Sequence, residues 1–263
     1  MIHRTQTMKT TPKSSNLEVE PVSGEEGATS FERTSARAQK RRDHLKVAVS
    51  NVLERMGYRA MKVTDVTTQA NVAVGLFYRY FPDLRAATCE VLTDYLDSIK
   101  AEVEALPVAQ DKFHAVYGPT LLWAQAYERH PGLMRCLVQV ADEVPEFEAL
   151  WLSANDGWTR RIAKSIVRQF PDAGLSESFS LTIAYALGSM IDGLLNELYV
   201  HRNRELQMLL ITPEHVAELL SAIWYRALYL ENPPDGALVI TTDLQQLVLS
   251  KLQGKGRSKR KAE

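Results

Sequence analysis

Apolar residues recur at three- and four-residue spacing through most of this chain, which is the period of an amphipathic helix. The first stripe, Leu45, Val49, Val52, Leu53 and Met56, predicts a helix over about 37–56, ended at Gly57, a residue type common just past helix C-termini. Further helices are predicted over about 83–105, 112–129 (with a bend at Gly118-Pro119), 131–143, 145–170, 176–201 and 213–230. Several of these start at a proline, which is pre-set for the first helical turn. "ALVITT", from Ala237, is the sole strand-like fragment, and it lacks hairpin turn signals. The pattern predicts an all-α fold.

The stretch "VTDVTTQANVAVGLFYRYFPDL", Val63 to Leu84, holds two short helical patterns around a break at Asn71-Val72-Ala73. Val63, Val66 and Ala70 share one face of the first. Val72 follows in the turn, and Phe77 and Phe81 share one face of the second. Such positions lock two short helices across a tight turn, the geometry of a helix-turn-helix. Val74, Gly75, Tyr78 and Arg79 are left facing away from that small core. A helical glycine costs about 1 kcal/mol against alanine, less in a first turn, and its missing side chain lets a phosphate approach the backbone. Tyr78 and Tyr80 offer hydroxyls and Arg79 a charge, so this face suits a nucleic-acid backbone.

Charge sharpens the picture. Across 263 residues the net charge is −1, but residues 33–82 hold ten Lys/Arg against three Asp/Glu, a balance of +7. Residues 83–250 hold 12 against 23, a balance of −11. A basic block beside an acidic body fits a polyanion partner for the first alone, with plain solvated faces as the alternative. Residues 1–32 are poor in large apolar side chains and read as a disordered arm, and 254–263 as a basic disordered tail. The N-terminus lacks the apolar core of a secretory signal, and no apolar run approaches the ~18 residues of a membrane span. Cys89 and Cys136 fit a reducing cytoplasm, and neither they nor the six histidines show metal-ligand spacing. With no phosphate loop, nucleophile elbow or defensible carboxylate pair, the chain reads as neither an enzyme nor a holder of metal or cofactor.

The segment "VTDVTTQANVAVGLFYRYFPDLRAATCEVL" resembles the DNA-binding domain of TetR-type transcriptional regulators. Val63, Asp65, Val66, Ala70, Val72, Gly75, Phe77, Tyr78, Tyr80 and Phe81 match the family pattern, as does "VLERMGYRAMKV" before it. The resemblance implies a helix-turn-helix domain over 33–82 and a ligand-binding and dimerising helical domain over 83–253. It places Arg41, Arg42, Lys62, Thr64, Ala73, Val74, Gly75, Leu76, Tyr78, Arg79 and Tyr80 against DNA. The sequence also departs from the pattern. Thr67 replaces an alanine, Asn71 a glycine, and Met61-Lys62 a threonine pair. Ala73, Val74 and Leu76 stand where Ser, Lys and Thr are usual, which thins polar base readout while leaving apolar contacts to thymine methyls. The basic run Arg33, Arg37, Lys40, Arg41, Arg42 and Lys46 can follow phosphates or a minor groove.

By the same resemblance the last two long helices pair with their twofold mates. Ala184 and Gly188 allow close helix approach, and Val216, Leu220, Ile223 and Ala227 supply an apolar stripe. Trp123, Tyr127, Met134, Trp151, Trp158, Tyr185 and Met190 are candidates to line a ligand pocket, with ordinary core as the plainer role. Asp192, inside the apolar "SMIDGLL", is the odd polar position: a pocket group, an interface group or an exposed turn. The expected function is a homodimeric repressor released from a palindromic DNA operator by a small hydrophobic or aromatic effector. The alternative is a helical ligand-binding or protein-interaction module whose sequence-specific DNA binding has decayed.

Overall fold

A computed structural model of the chain describes residues 30–140, 143–241, 243 and 244. The chain falls into two compact units, residues 1–39 and residues 40–263. In the first, residues 30–39 open helix α1 (Ser30–Met56), and residues 35–39 are exposed. The helix begins at Ser30 rather than near residue 37 because an apolar stripe marks only the core-facing part of a helix. The rest of the predicted arm and the basic tail lie outside the described residues.

The second unit carries the remainder of α1, then α2 (Val63–Gln69), α3 (Val74–Tyr80), α4 (Leu84–Glu104), α5 (Lys112–Arg129) and α6 (Pro131–Gln139). After these come α7 (Pro145–Gln169), α8 (Glu177–Leu195), α9 (Arg204–Leu209) and α10 (Pro213–Tyr229). Among the described residues there is no strand, so the fold is all-α. Side-chain caps explain many of the starts: Asp83, Asp111, Ser176, Asn203 and Thr212 each accept a first-turn N–H, and α6, α7 and α10 open with proline. α6 ends at Gln139, earlier than the predicted 143. The predicted 176–201 helix is α-helical only to Leu195 and then widens into a π-helical turn, Asn196–Val200. Helix α9 is too short and too polar for periodicity to find.

The strand-like fragment at Ala237 is a loop wrapped around a buried carboxylate. Glu218 of α10, 3% exposed, accepts from the backbone N–H groups of Val239, Ile240 and Thr241 at 3.0, 2.9 and 2.6 Å, and from the Thr241 hydroxyl at 2.6 Å. An unpaired loop must satisfy its N–H groups somewhere, and here a carboxylate does so.

Leu45, Val49, Val52 and Leu53 of α1 pack with Val66, Ala70, Phe77 and Phe81, all at most 4% exposed. The same apolar cluster runs on through α4, α6 and the inner face of α8. The helix-turn-helix is therefore anchored to the body by continuous core, each fully buried large side chain contributing about 1.5–3 kcal/mol. α10 packs chiefly along α5 and α8 chiefly along α7. The last two long helices thus belong to different pairs within the chain. Against the sequence expectation, Glu177–Val200 is long and apolar enough by composition to cross a membrane, with a mean hydropathy of 1.3. Its inner face nevertheless joins the protein core through Ala184, Leu187, Ile191, Leu195 and Leu198.

Candidate nucleic-acid interface and an aromatic–carboxylate cluster

Helices α2 and α3 meet across Ala70–Ala73, and the turn depends on one backbone conformation. Asn71 has φ +53°, the left-handed region, which asparagine tolerates better than other non-glycine residues. The departure from the family's glycine is therefore stereochemically mild. Across the turn the Val72 N–H donates to the Thr67 carbonyl at 3.0 Å. His44 Nε2 lies 2.9 Å from the Ala70 carbonyl and pins the turn to α1. Nothing in the sequence pattern marked His44 for this role. At the start of α2 the cap is half replaced: Lys62 has no side-chain acceptor, but Asp65 accepts from the Lys62 N–H at 2.8 Å.

The face turned outward is the one the sequence predicted. Ala73, Val74, Gly75, Tyr78 and Arg79 are exposed, as are Arg41, Lys62 and Thr64, while Leu76 and Tyr80 are half-buried. No atom lies within 4 Å of where a Gly75 side chain would begin, so no internal contact requires glycine there. Two open clefts flank the start of α3. Thr64, Thr67, Thr68, Asn71 and Val74 border one, Arg41, His44 and Leu76 the other, and Val72 and Ala73 lie between them.

Arg42 is placed differently from the expectation. Its guanidinium makes a two-pronged ion pair with Glu90 of α4, donates to the Tyr80 carbonyl at 3.3 Å and lies 4.8 Å from the centre of the Phe81 ring. The Glu90 hydrogen bond raises its pKa against the opposing effect of burial. The side chain staples α1 to the end of α3 and the start of α4, and its donors are largely spent. A second joint ties α1 to the body. Glu54 accepts from the Gly132 N–H at 2.7 Å and the Leu133 N–H at 3.2 Å, capping α6 across a gap that only glycine fits. Sequence spacing carried no sign of this pairing.

Of the candidate ligand residues, the structure brings Trp123, Tyr127, Trp151 and Asp192 together. Trp123 stacks on Trp151 at 6.3 Å between centroids and meets Tyr127 edge-on at 5.5 Å, and Tyr199 adds a fourth ring 6.5 Å from Tyr127. The Trp123 Nε1–H donates to Asp192 Oδ1 at 2.8 Å. Burial pushes the Asp192 carboxyl up to about 6, against that hydrogen bond. Burial, and then the nearby Asp192 charge, drive the Tyr127 phenol well above its ordinary value. Met134 is wholly buried in the core and Met190 packs against its edge. Trp158 and Tyr185 stand apart: Arg161 lies over the Trp158 ring at 5.3 Å, and Tyr185 is 46% exposed.

The proposed interface residues divide in two. Ala184, Val216 and Leu220 are at most 1% exposed inside the chain's own core, whereas Ile223 and Ala227 are exposed. Gly188 is half-buried, with nothing within 4 Å of where a side-chain methyl would stand. The exposed positions of α8 include Phe179, Thr182, Tyr185, Ala186, Ser189 and Gly193. Among the described residues no group of three His, Cys, Asp or Glu could hold a metal ion.

No protein-family description and no curated protein sequence matches the chain. Solved structures do. A transcriptional regulator from Rhodococcus sp. Rha1 aligns with TM-score 0.60 at 17% identity, covering 72% of this chain and 96% of the other. A TetR-family transcriptional regulator from Streptomyces coelicolor aligns with TM-score 0.60 at 14% identity, covering 80% and 96%. The fatty acid degradation regulator FadR from Bacillus halodurans aligns with TM-score 0.54 at 10% identity, covering 70% and 94%. The chain has the fold of the TetR-type transcriptional regulators.

Proposed function

We propose that this protein is a cytoplasmic, homodimeric DNA-binding transcriptional regulator, a repressor that a small hydrophobic effector releases from a palindromic operator. The observation that carries the reading is the outward face of α3. There a glycine free of internal contacts stands among exposed Val74, Tyr78 and Arg79, on a helix whose other side is locked in core. The helix lies in the most basic part of the chain, where phosphates would be met by Arg41, Lys62 and Arg79. Arg42 acts here as a positioning residue, since it holds α3 rather than reaching outward. Base contacts fall to Val74 and Leu76, whose apolar side chains suit thymine methyl groups.

A dimer would present two recognition helices to successive major grooves about one DNA turn apart. The small-residue stripe Thr182, Ala186, Ser189 and Gly193 on apolar α8, with α7 alongside, is the surface that best suits a twofold helix pairing. Effector binding would favour a dimer whose recognition helices no longer fit that spacing.

The test is selection of bound sequences from random duplexes, followed by salt titration of the winner. The expected result is an inverted repeat with half-sites about one turn apart, with log affinity falling steeply against log salt. Enrichment of no sequence would favour the rival reading, a helical binding module with decayed DNA specificity.

A further inference from the structure

Asp192 is a carboxylate set among aromatic rings. Trp123, Trp151, Tyr127 and Tyr199 form a linked series of ring contacts, and the carboxylate accepts its hydrogen bond from the Trp123 indole. Among the described residues no Lys, Arg or His forms an ion pair with it. The largest influence on its carboxyl is loss of solvation, opposed by the Trp123 hydrogen bond.

The other polar atoms nearby are of the same kind. The Tyr127 hydroxyl is fully buried and lacks a hydrogen-bond partner. Asn196 Oδ1, one helical turn beyond Asp192, is likewise buried and unpartnered. One turn before Asp192, Gly188 leaves open space where a side chain would stand. Four residues after Asp192 begins the π-helical turn Asn196–Val200, whose Tyr199 ring lies 6.5 Å from that of Tyr127. Such widened turns often mark functional sites. The cluster therefore offers acceptors and aromatic rings, and among the described residues no cationic side chain pairs with its carboxylate.

We propose that this cluster is the effector site and that its occupant is an organic cation, a protonated amine or quaternary ammonium group on an apolar body. The ring faces attract a cation through their quadrupoles, and the carboxylate supplies the opposite charge. A protonated amine would also give the Asn196 Oδ1 and the Tyr127 hydroxyl a partner, and Asp192 a charged donor. Carboxylate and phosphate effectors are excluded by the Asp192 charge, and neutral apolar compounds forgo it. The Trp123 indole N–H occupies a donor position at Asp192, so the effector displaces Trp123 from its hydrogen bond.

This proposal rests on the reading of the protein as an effector-responsive regulator, and its test separates the two. Benzyltrimethylammonium, its neutral isostere neopentylbenzene and the anion phenylacetate are titrated into the full chain, read by tryptophan fluorescence and calorimetry. The ammonium is expected to bind roughly tenfold or more tightly than the neutral compound, with phenylacetate weakest. Asp192→Asn keeps an oxygen for the Trp123 N–H, so it should fold, and should bring the ammonium and neutral affinities together. Trp123→Phe should weaken the ammonium while leaving the protein folded. Equal affinity of the first two ligands for the wild type, or an ammonium preference that survives Asp192→Asn, would overturn the proposal. So would failure of the ammonium to bind. DNA release is measured separately: binding of the ammonium without effect on DNA upholds the cation site and counts against the regulator reading. Release by another compound, equal in wild type and Asp192→Asn, does the reverse.

Discussion

Gly132 is the position where a single methyl group should do the most damage. It lies in the first turn of α6, against the last turns of α1. A methyl on it would stand 2.5 Å from the Glu54 Cα and 2.6 Å from Glu54 Oε2, below any ordinary contact. The nearest atom is backbone, so the strain cannot be relieved by turning a side chain. Alanine would gain at most about 1 kcal/mol from helix propensity, and less in a first turn. Forcing α1 and α6 apart costs about 1–3 kcal/mol in overpacking, and weakening the Glu54 cap on the Gly132 and Leu133 N–H groups costs a further ~0.5–2 kcal/mol. The expected net loss for Gly132→Ala is about 2 kcal/mol. For a chain of this size that is about 4–8 °C in Tm. Glu54→Ala removes the cap without the clash and should cost about 1–2 kcal/mol. Urea unfolding followed by circular dichroism gives both numbers. A Gly132→Ala protein as stable as the wild type would refute the close approach of α1 and α6, and with it the joint between them.

Four further outcomes are expected. Tyr78→Phe and Arg79→Ala should weaken binding to all DNA sequences alike, whereas Leu76→Thr should alter the selected sequence, at about 1–3 kcal/mol per base contact; an unchanged selection would remove α3 as the reader. Asn71→Gly should leave stability within a few tenths of a kcal/mol, whereas Asn71→Val should lose about 1–2 kcal/mol at a φ of +53°, as measured by denaturant midpoints. Glu218→Ala should cost about 2–3 kcal/mol by stranding the Val239, Ile240 and Thr241 N–H groups. Burial opposes the charge of Glu218, but the Thr241, Val239 and Ile240 hydrogen bonds outweigh it and lower its pKa; its stabilisation is thus present above the unfolded value and lost as pH falls through the folded one. Asp192 has the opposite sign: burial raises its carboxyl to about 6, so the native state holds the proton longer and stability should fall by about 1–3 kcal/mol as pH rises from about 4 to 6. Thermal melts of Asp192→Asn should show that slope removed, and an unchanged slope would assign it to another group.

What the sequence determined by itself is local. The helical stripe of Leu45, Val49, Val52 and Leu53, the break at Asn71-Val72-Ala73 and the outward set Val74, Gly75, Tyr78 and Arg79 all follow from spacing over a few residues. The 3.6-residue turn places each of them without reference to the rest of the chain. The cap residues and helix-opening prolines are legible for the same reason. What the tertiary structure alone decided are the pairings across long separations. Arg42 meets Glu90 48 residues away, Trp123 meets Asp192 69 away, and Glu54 meets Gly132 78 away. That is why a basic residue expected at DNA became a staple for α3, and why an apolar helix's odd aspartate came to meet a tryptophan indole. Helix packing likewise set α8 against α7 and α10 against α5, which put Ala184, Val216 and Leu220 inside the protomer. A stripe in the sequence says that a helix face will be buried. Which surface buries it depends on how all the helices fill space together, and local spacing holds no record of that.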